Sequence, residues 1–224
     1  MHTPREIYEH YKIPPLLQLH QLRVAAVGKM LCDKFSEGVR AETVILTGLF
    51  HDMGNILKID LSEDGPLLSL IEPGKLEYWR DVKEDFARMY GTNEHVAGMA
   101  IGHEIGLSGD VLNIIDNMSL SKTVWILQEG SLEMNISKYA DLRVGPRGIL
   151  SLQGRLAEWR ERYKGKEYDA GKSYDKELIS QAEKACAEIE KYVCAATHIH
   201  PSDITDESIA LLIEKLKDYP VTAS

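Results

Sequence analysis

Two histidines and two aspartates stand in this chain where imidazole and carboxylate groups are costly to leave without a partner. His20 interrupts the middle of an apolar helix face, and a desolvated imidazole there needs something to bind. His51 and Asp52 adjoin in Leu49-Phe50-His51-Asp52-Met53-Gly54-Asn55, at the end of a second apolar helix. Neighbouring side chains on a helix point about 100° apart, so both reach one ion only near the helix end, where Gly54 relieves crowding. Asp141 lies in Lys138-Tyr139-Ala140-Asp141-Leu142-Arg143-Val144, a carboxylate in a mostly apolar helical setting. A buried carboxylate without a metal or cation costs several kcal/mol, on the order of what relaxed protein interiors show. The four together form a nitrogen/oxygen donor set without thiolate, which suits Mn, Fe, Co, Ni or Zn and suits Cu(I) poorly. Four unrelated core residues are the plain alternative.

The other histidines sort differently. His2 and His10 fall in a leading segment expected to be solvated, and His198 and His200 flank Ile199 in a loop before Pro201. His103 falls on the stripe Val96, Met99, Ala100, Leu107, where a partly buried structural role is expected. His95 shares a helix face with Gly98, Met99 and Gly102.

The elements that must hold these groups follow from an apolar period that is helical almost throughout. Pro14-Pro15 opens a helix predicted to reach about Phe35, with Leu16, His20, Arg23, Val24, Val27 and Leu31 on one face. A second runs from about Ala41 to Leu57, after a break at Gly38. A polar stretch, Asp60–Gly74, carries turn signals. Leu76–Tyr90 follows as an amphipathic helix whose apolar side is Tyr78, Trp79, Val82, Phe86 and Met89. Further helices are predicted at about Glu94–Ile105, Gly109–Asn117, Lys122–Glu129, Glu133–Arg143, Ile149–Tyr163, Tyr174–Ala196 and Asp206–Asp218. Thr205 is the expected N-cap of the last, and Lys164–Ser173 is a Gly- and Lys-rich loop. Lys184, Glu188, Glu190 and Lys191 are expected on solvated helix faces. The fold class is all-α, with the last two helices appended to the same core.

Composition bounds the function. Twenty-six basic against 35 acidic residues give a net charge of −9 over 224 residues, so the broad basic surface needed for a nucleic-acid polymer is missing. No apolar run approaches the roughly 18–20 residues of a membrane span, and no membrane partner is expected. Met1–Tyr11 has no apolar signal core, and Cys32, Cys186 and Cys194 are too few and too scattered for a disulfide framework or zinc knuckle. The expected location is cytoplasmic.

In order and type, His20, His51-Asp52 and Asp141 resemble the H…HD…D signature of the HD-domain superfamily of metal-dependent phosphohydrolases. The local strings agree: His20-Gln-Leu-Arg-Val-Ala resembles the family's first-histidine helix, Leu49-Phe-His-Asp-Met-Gly-Asn its "LLHDIGK" element, and Tyr139-Ala-Asp-Leu-Arg-Val its final aspartate helix. The likeness covers about Leu16–Tyr163. It implies a helical core over 1–165 with an insertion at about 58–92, C-terminal helices over 166–224, and one divalent metal on His20, His51, Asp52 and Asp141. Asn55 stands where the family usually has lysine, with Lys58 one turn on. Dinuclear members carry two further histidines. His95 could be the first, but Ile114–Ser119 offers none for the second, so one metal is expected, with His95 contacting substrate or a weak second ion.

The activity implied by this resemblance is hydrolysis of a small phosphorylated substrate, a nucleotide first, by metal-activated water, with Asp52 also orienting that water. Arg23, one turn from His20, and Lys58 are the candidate phosphate contacts. Asp60, Glu63 and Asp64 could approach the site, and Tyr78, Trp79 and Tyr90 could stack a base. Two other readings stay open: a non-catalytic ligand-sensing module on the same fold, and a di-iron oxygenase, which would need the missing histidine. A homodimer is compatible with all three.

Overall fold

Proline and side-chain caps set where the helices begin. In the computed structural model, which describes residues 2–35, 38–65, 67–68, 71–163 and 176–222, eleven α-helices are present. They are α1 (Pro4–His10), α2 (Pro15–Cys32), α3 (Ala41–Phe50), α4 (Leu76–Tyr90), α5 (Glu94–Glu104), α6 (Gly109–Asn117), α7 (Thr123–Glu129), α8 (Leu132–Leu142), α9 (Leu152–Tyr163), α10 (Lys176–Thr197) and α11 (Asp206–Leu216). Among the described residues no strand forms, and the all-α expectation holds. Asn93, Ser108, Ser131 and Thr205 each accept a backbone N–H from the first turn of α5, α6, α8 and α11, which satisfies groups that a helix start leaves open. The loop predicted at Lys164–Ser173, and with it the division near 165, lies outside the described residues.

α2 is the axis of the molecule. It packs on α3, α8 and α11, and α3 and α8 also pack on each other. These helices approach closely because small residues face one another: a Cβ placed on Gly48 of α3 would lie 2.6 Å from the backbone N and Cα of Ala25 on α2. The surrounding core includes Val24, Val27, Leu31, Leu49, Phe50, Ile136 and Tyr139. α10 rests on α7, α8 and α9, so the C-terminal helices share the core through Ile189, Val193, Ile209 and Ile213. A backbone bridge from His2 to Val221 ties the start of the chain to its end. No described helix is long and apolar enough to cross a membrane.

Several expectations are corrected. The leading segment holds a helix, α1, opened by a reciprocal Thr3/Glu6 capping box; seven residues are too few for a hydrophobic period to reveal it. α2 stops at Cys32, short of Phe35, and α3 stops at Phe50, not Leu57, giving way to a turn at 51–54 and a 3-10 helix at Asn55–Lys58. The bond that would continue α3 is not made, because the Gly48 carbonyl takes the His51 ring and the Asp52 N–H goes to Gln21. Gly54 then lets the chain lie backbone to backbone against α5, a Cβ there being 2.0 Å from the Glu94 carbonyl oxygen. His103 is exposed, because α5 buries its narrow Ala97, Gly98, Ile101, Gly102 face and leaves Val96 outside. On α4, Trp79, Val82 and Phe86 are buried as expected, whereas Tyr78 and Met89 are exposed. Glu190 is not simply solvated surface, since its carboxylate accepts the Tyr139 hydroxyl at 2.9 Å.

Candidate metal centre

Three mutually packed helices each deliver part of one cluster. α2 supplies His20 from its middle, the C-terminal end of α3 supplies His51 and the following Asp52, and α8 supplies Asp141 from its last turn. His20 Nε2 stands 3.5 Å from Asp52 Oδ2 and 3.4 Å from Asp141 Oδ1, while His51 Nε2 stands 3.6 Å from Asp52 Oδ1 and 3.6 Å from Asp141 Oδ1. The donor atoms of His20, His51 and Asp52 all fall within 4.8 Å of one another. Ligands held about 2.0–2.2 Å from one ion stand roughly 3–3.6 Å apart, and these four nitrogen–oxygen separations fall in that range, while the mutually close set is His20, His51 and Asp52 with Asp141 beside both imidazoles.

The chemistry of the donors agrees. His51 Nδ1 donates to the Gly48 carbonyl at 3.0 Å, which leaves Nε2 as the nitrogen facing Asp52 and Asp141. Among the described residues that Nε2 is buried without a hydrogen-bond partner, a position a metal would satisfy. The imidazole side chains are 11% and 4% exposed, and the Asp52 and Asp141 side chains 23% and 21%. The rings therefore form the floor of the cluster and the carboxylates its solvent side.

Electrostatics bind the four into one unit. Burial works to lower the His51 pKa, but Asp52 and Asp141 outweigh it and push it from 6.5 up to about 9. Burial likewise works to raise Asp141, and the two histidines hold it well below the usual carboxylate range. In the metal-free protein the stabilisation from His51 is complete below pH 6.5 and is lost as pH rises through about 9; that from Asp141 is complete above 3.8 and is lost as pH falls through its depressed pKa. A metal must displace the His51 proton. Affinity for Mn²⁺ or Co²⁺ is therefore expected to rise about tenfold per pH unit between pH 6.5 and 9, with release of about one proton. Calorimetry in buffers of different ionisation enthalpy measures both quantities, and a pH-independent affinity would contradict the proton displacement.

The candidate substrate contacts each meet a carboxylate. Arg23 Nε lies 3.0 Å from Asp206 Oδ1 at the start of α11, and Asp206 Oδ2 accepts the Ile149 N–H at 3.0 Å, joining α2, α11 and the turn after α8. Lys58 Nζ is 2.6 Å from Glu94 Oε1. His95 Nε2 is 2.8 Å from Asp116 Oδ1, at the end of α6 where a second histidine is missing. Gly54 brings the turn after Asp52 directly against the first turn of α5, which carries Glu94 and His95. Glu63 and Asp64 are exposed, Asp60 folds back to accept the Ser62 N–H, and Trp79 is buried, its ring nitrogen donating to Glu72 at 3.3 Å.

Sequence reasoning missed Asp116 and Asp206, which carry no local signal of their distant partners. It also missed Gln21. This residue is fully buried, and its Oε1 accepts the Asp52 N–H at 3.2 Å. The available signal was an amide adjoining His20 on a helix of apolar residues.

A family model described as HD domain matches residues 18–142, more than half the chain and all four cluster residues. No curated protein and no solved structure matches the chain.

Proposed function

The chain belongs to the HD-domain family, and from that premise we propose that it is a metal-dependent phosphohydrolase that cleaves a phosphoester or phosphoanhydride of a nucleotide. The observation that carries this reading is the cluster itself: two imidazoles and two carboxylates at shared-ion spacing, with the buried His51 Nε2 otherwise unpartnered. When bound, a divalent metal there supplies an activated water at neutral pH and polarises a phosphoryl oxygen. The chain's own part is positioning. His20 and His51 close the floor, so substrate approaches from the side of Asp52 and Asp141, where Asp52 can orient a water by accepting its hydrogen bond.

Phosphate oxygens then meet the cations Lys58 and Arg23 and the imidazole of His95, each held in place by a carboxylate. The net charge of −9 does not oppose an anionic substrate, because a bound divalent ion dominates its own surroundings. One observation favours the non-catalytic sensing module instead: Arg23, Lys58 and His95 are all already engaged with carboxylates.

The test is release of phosphate and pyrophosphate from a panel of nucleoside mono- and triphosphates, with and without Mn²⁺, Co²⁺ or Ni²⁺. Metal-dependent release is the expected result, with at least about a hundredfold difference between loaded and chelated protein. Metal-loaded protein inert across nucleotides and simple phosphoesters would overturn the hydrolase and favour the sensing module.

A further inference from the structure

We propose that Gln21 is a positioning residue for the metal centre, acting on Asp52 through the backbone; this rests on the metal reading above. In a continuing α3, the Asp52 N–H would bond to the Gly48 carbonyl four residues earlier. Here that carbonyl takes the His51 ring at 3.0 Å, and the Asp52 N–H goes to Gln21 Oε1 at 3.2 Å. Both halves of one helical hydrogen bond are thus claimed by side chains: the first ligand-bearing ring of the His-Asp pair, and the residue next to His20.

The next bond down the chain has the tighter spacing, Asn55 N–H to Asp52 O at 3.0 Å, so the helical ladder changes at this step. This is the place where two adjacent side chains, about 100° apart on a regular helix, come to share one cluster. Their closest polar atoms, His51 Nε2 and Asp52 Oδ1, are 3.6 Å apart.

A second observation separates Gln21 from an ordinary core residue. It is 0% exposed, and its Nε2 is buried with no hydrogen-bond partner among the described residues. An amide kept in the interior with one end unpaired carries a desolvation cost that a leucine would avoid. The carbonyl end therefore has a task, and the group it meets is the Asp52 backbone N–H. α2 thus contributes twice, through His20 as a ligand and through Gln21 as the support for the ligand on α3.

The experiment uses metal-stripped full-length protein titrated with Co²⁺ by calorimetry, beside thermal melts in chelator. Gln21→Leu is expected to bind Co²⁺ about 10- to 100-fold more weakly, as loss of an outer-shell partner generally does. Its metal-free melting temperature should stay within a few degrees of wild type. Gln21→Glu keeps the acceptor oxygen and should recover most of the affinity. Wild-type affinity in Gln21→Leu would overturn the inference, as would weak binding in Gln21→Glu. If Gln21→Leu does not fold, Gln21→Glu alone decides. Wild-type protein that takes up no Co²⁺ would overturn the metal reading and this inference with it, an outcome distinct from equal binding by wild type and variant.

Discussion

Asp52→Ala is expected to empty the metal centre and lower turnover by about a thousandfold or more. Asp52 faces both histidines, with Oδ2 3.5 Å from His20 Nε2 and Oδ1 3.6 Å from His51 Nε2. Removing it takes away one ligand and half of the carboxylate charge that balances a dication. A bound metal lowers the pKa of water from about 15.7 to about 7, so its loss removes the nucleophile at neutral pH. The variant should still fold, because Asp52 lies on the solvent side of the cluster and its backbone N–H keeps Gln21. Elemental analysis, a chelator melt and phosphate release measured on the same preparation decide the matter. A folded Asp52→Ala protein that keeps near-stoichiometric metal and wild-type turnover would remove Asp52 from the site.

The largest effect on stability is expected from Arg143, two residues after Asp141. Arg143 is 3% exposed, and its guanidinium donates to the Leu150 carbonyl at 2.7 Å, the Tyr139 hydroxyl at 2.9 Å and the Pro201 carbonyl at 3.0 Å. Tyr139 passes the contact on to Glu190 of α10 at 2.9 Å. One buried cation thus joins α8, the turn after it, α10 and the segment before α11. Arg143→Met keeps the apolar stem but leaves the Leu150 and Pro201 carbonyls and the Tyr139 hydroxyl without their donor. Each buried acceptor left without its donor costs about 1–3 kcal/mol, so losing the three together costs about 3–5 kcal/mol. For a chain of this length that corresponds to a melting temperature lower by about 10 °C. Metal affinity should fall less than in Asp52→Ala, since Arg143 touches no ligand. A melting temperature within about 2 °C of wild type would show that the network contributes little.

The helical class and the four residues that cluster were legible in the chain itself. Hydrophobic period is a local property, and so is the start of a helix at Thr205, whose hydroxyl meets a backbone N–H three residues on. His20, His51, Asp52 and Asp141 were legible for a related reason: each is a polar group on an apolar surface, and the cost of burying it is written in its immediate neighbours. Tertiary structure alone decided how the remaining charges are used. Arg23 finds Asp206 across 183 positions, and His95 finds Asp116 across 21. Glu190 turns inward to Tyr139, and α3 ends at Phe50 where the Gly48 carbonyl and the Asp52 N–H are taken by the His51 and Gln21 side chains. Such pairings depend on which helix faces come together, and that is set by packing small residues such as Gly48 against Ala25 rather than by any local pattern. The residue types belong to the sequence; the 3.4–3.6 Å separations that gather them into one cluster belong to the packing of α2, α3 and α8.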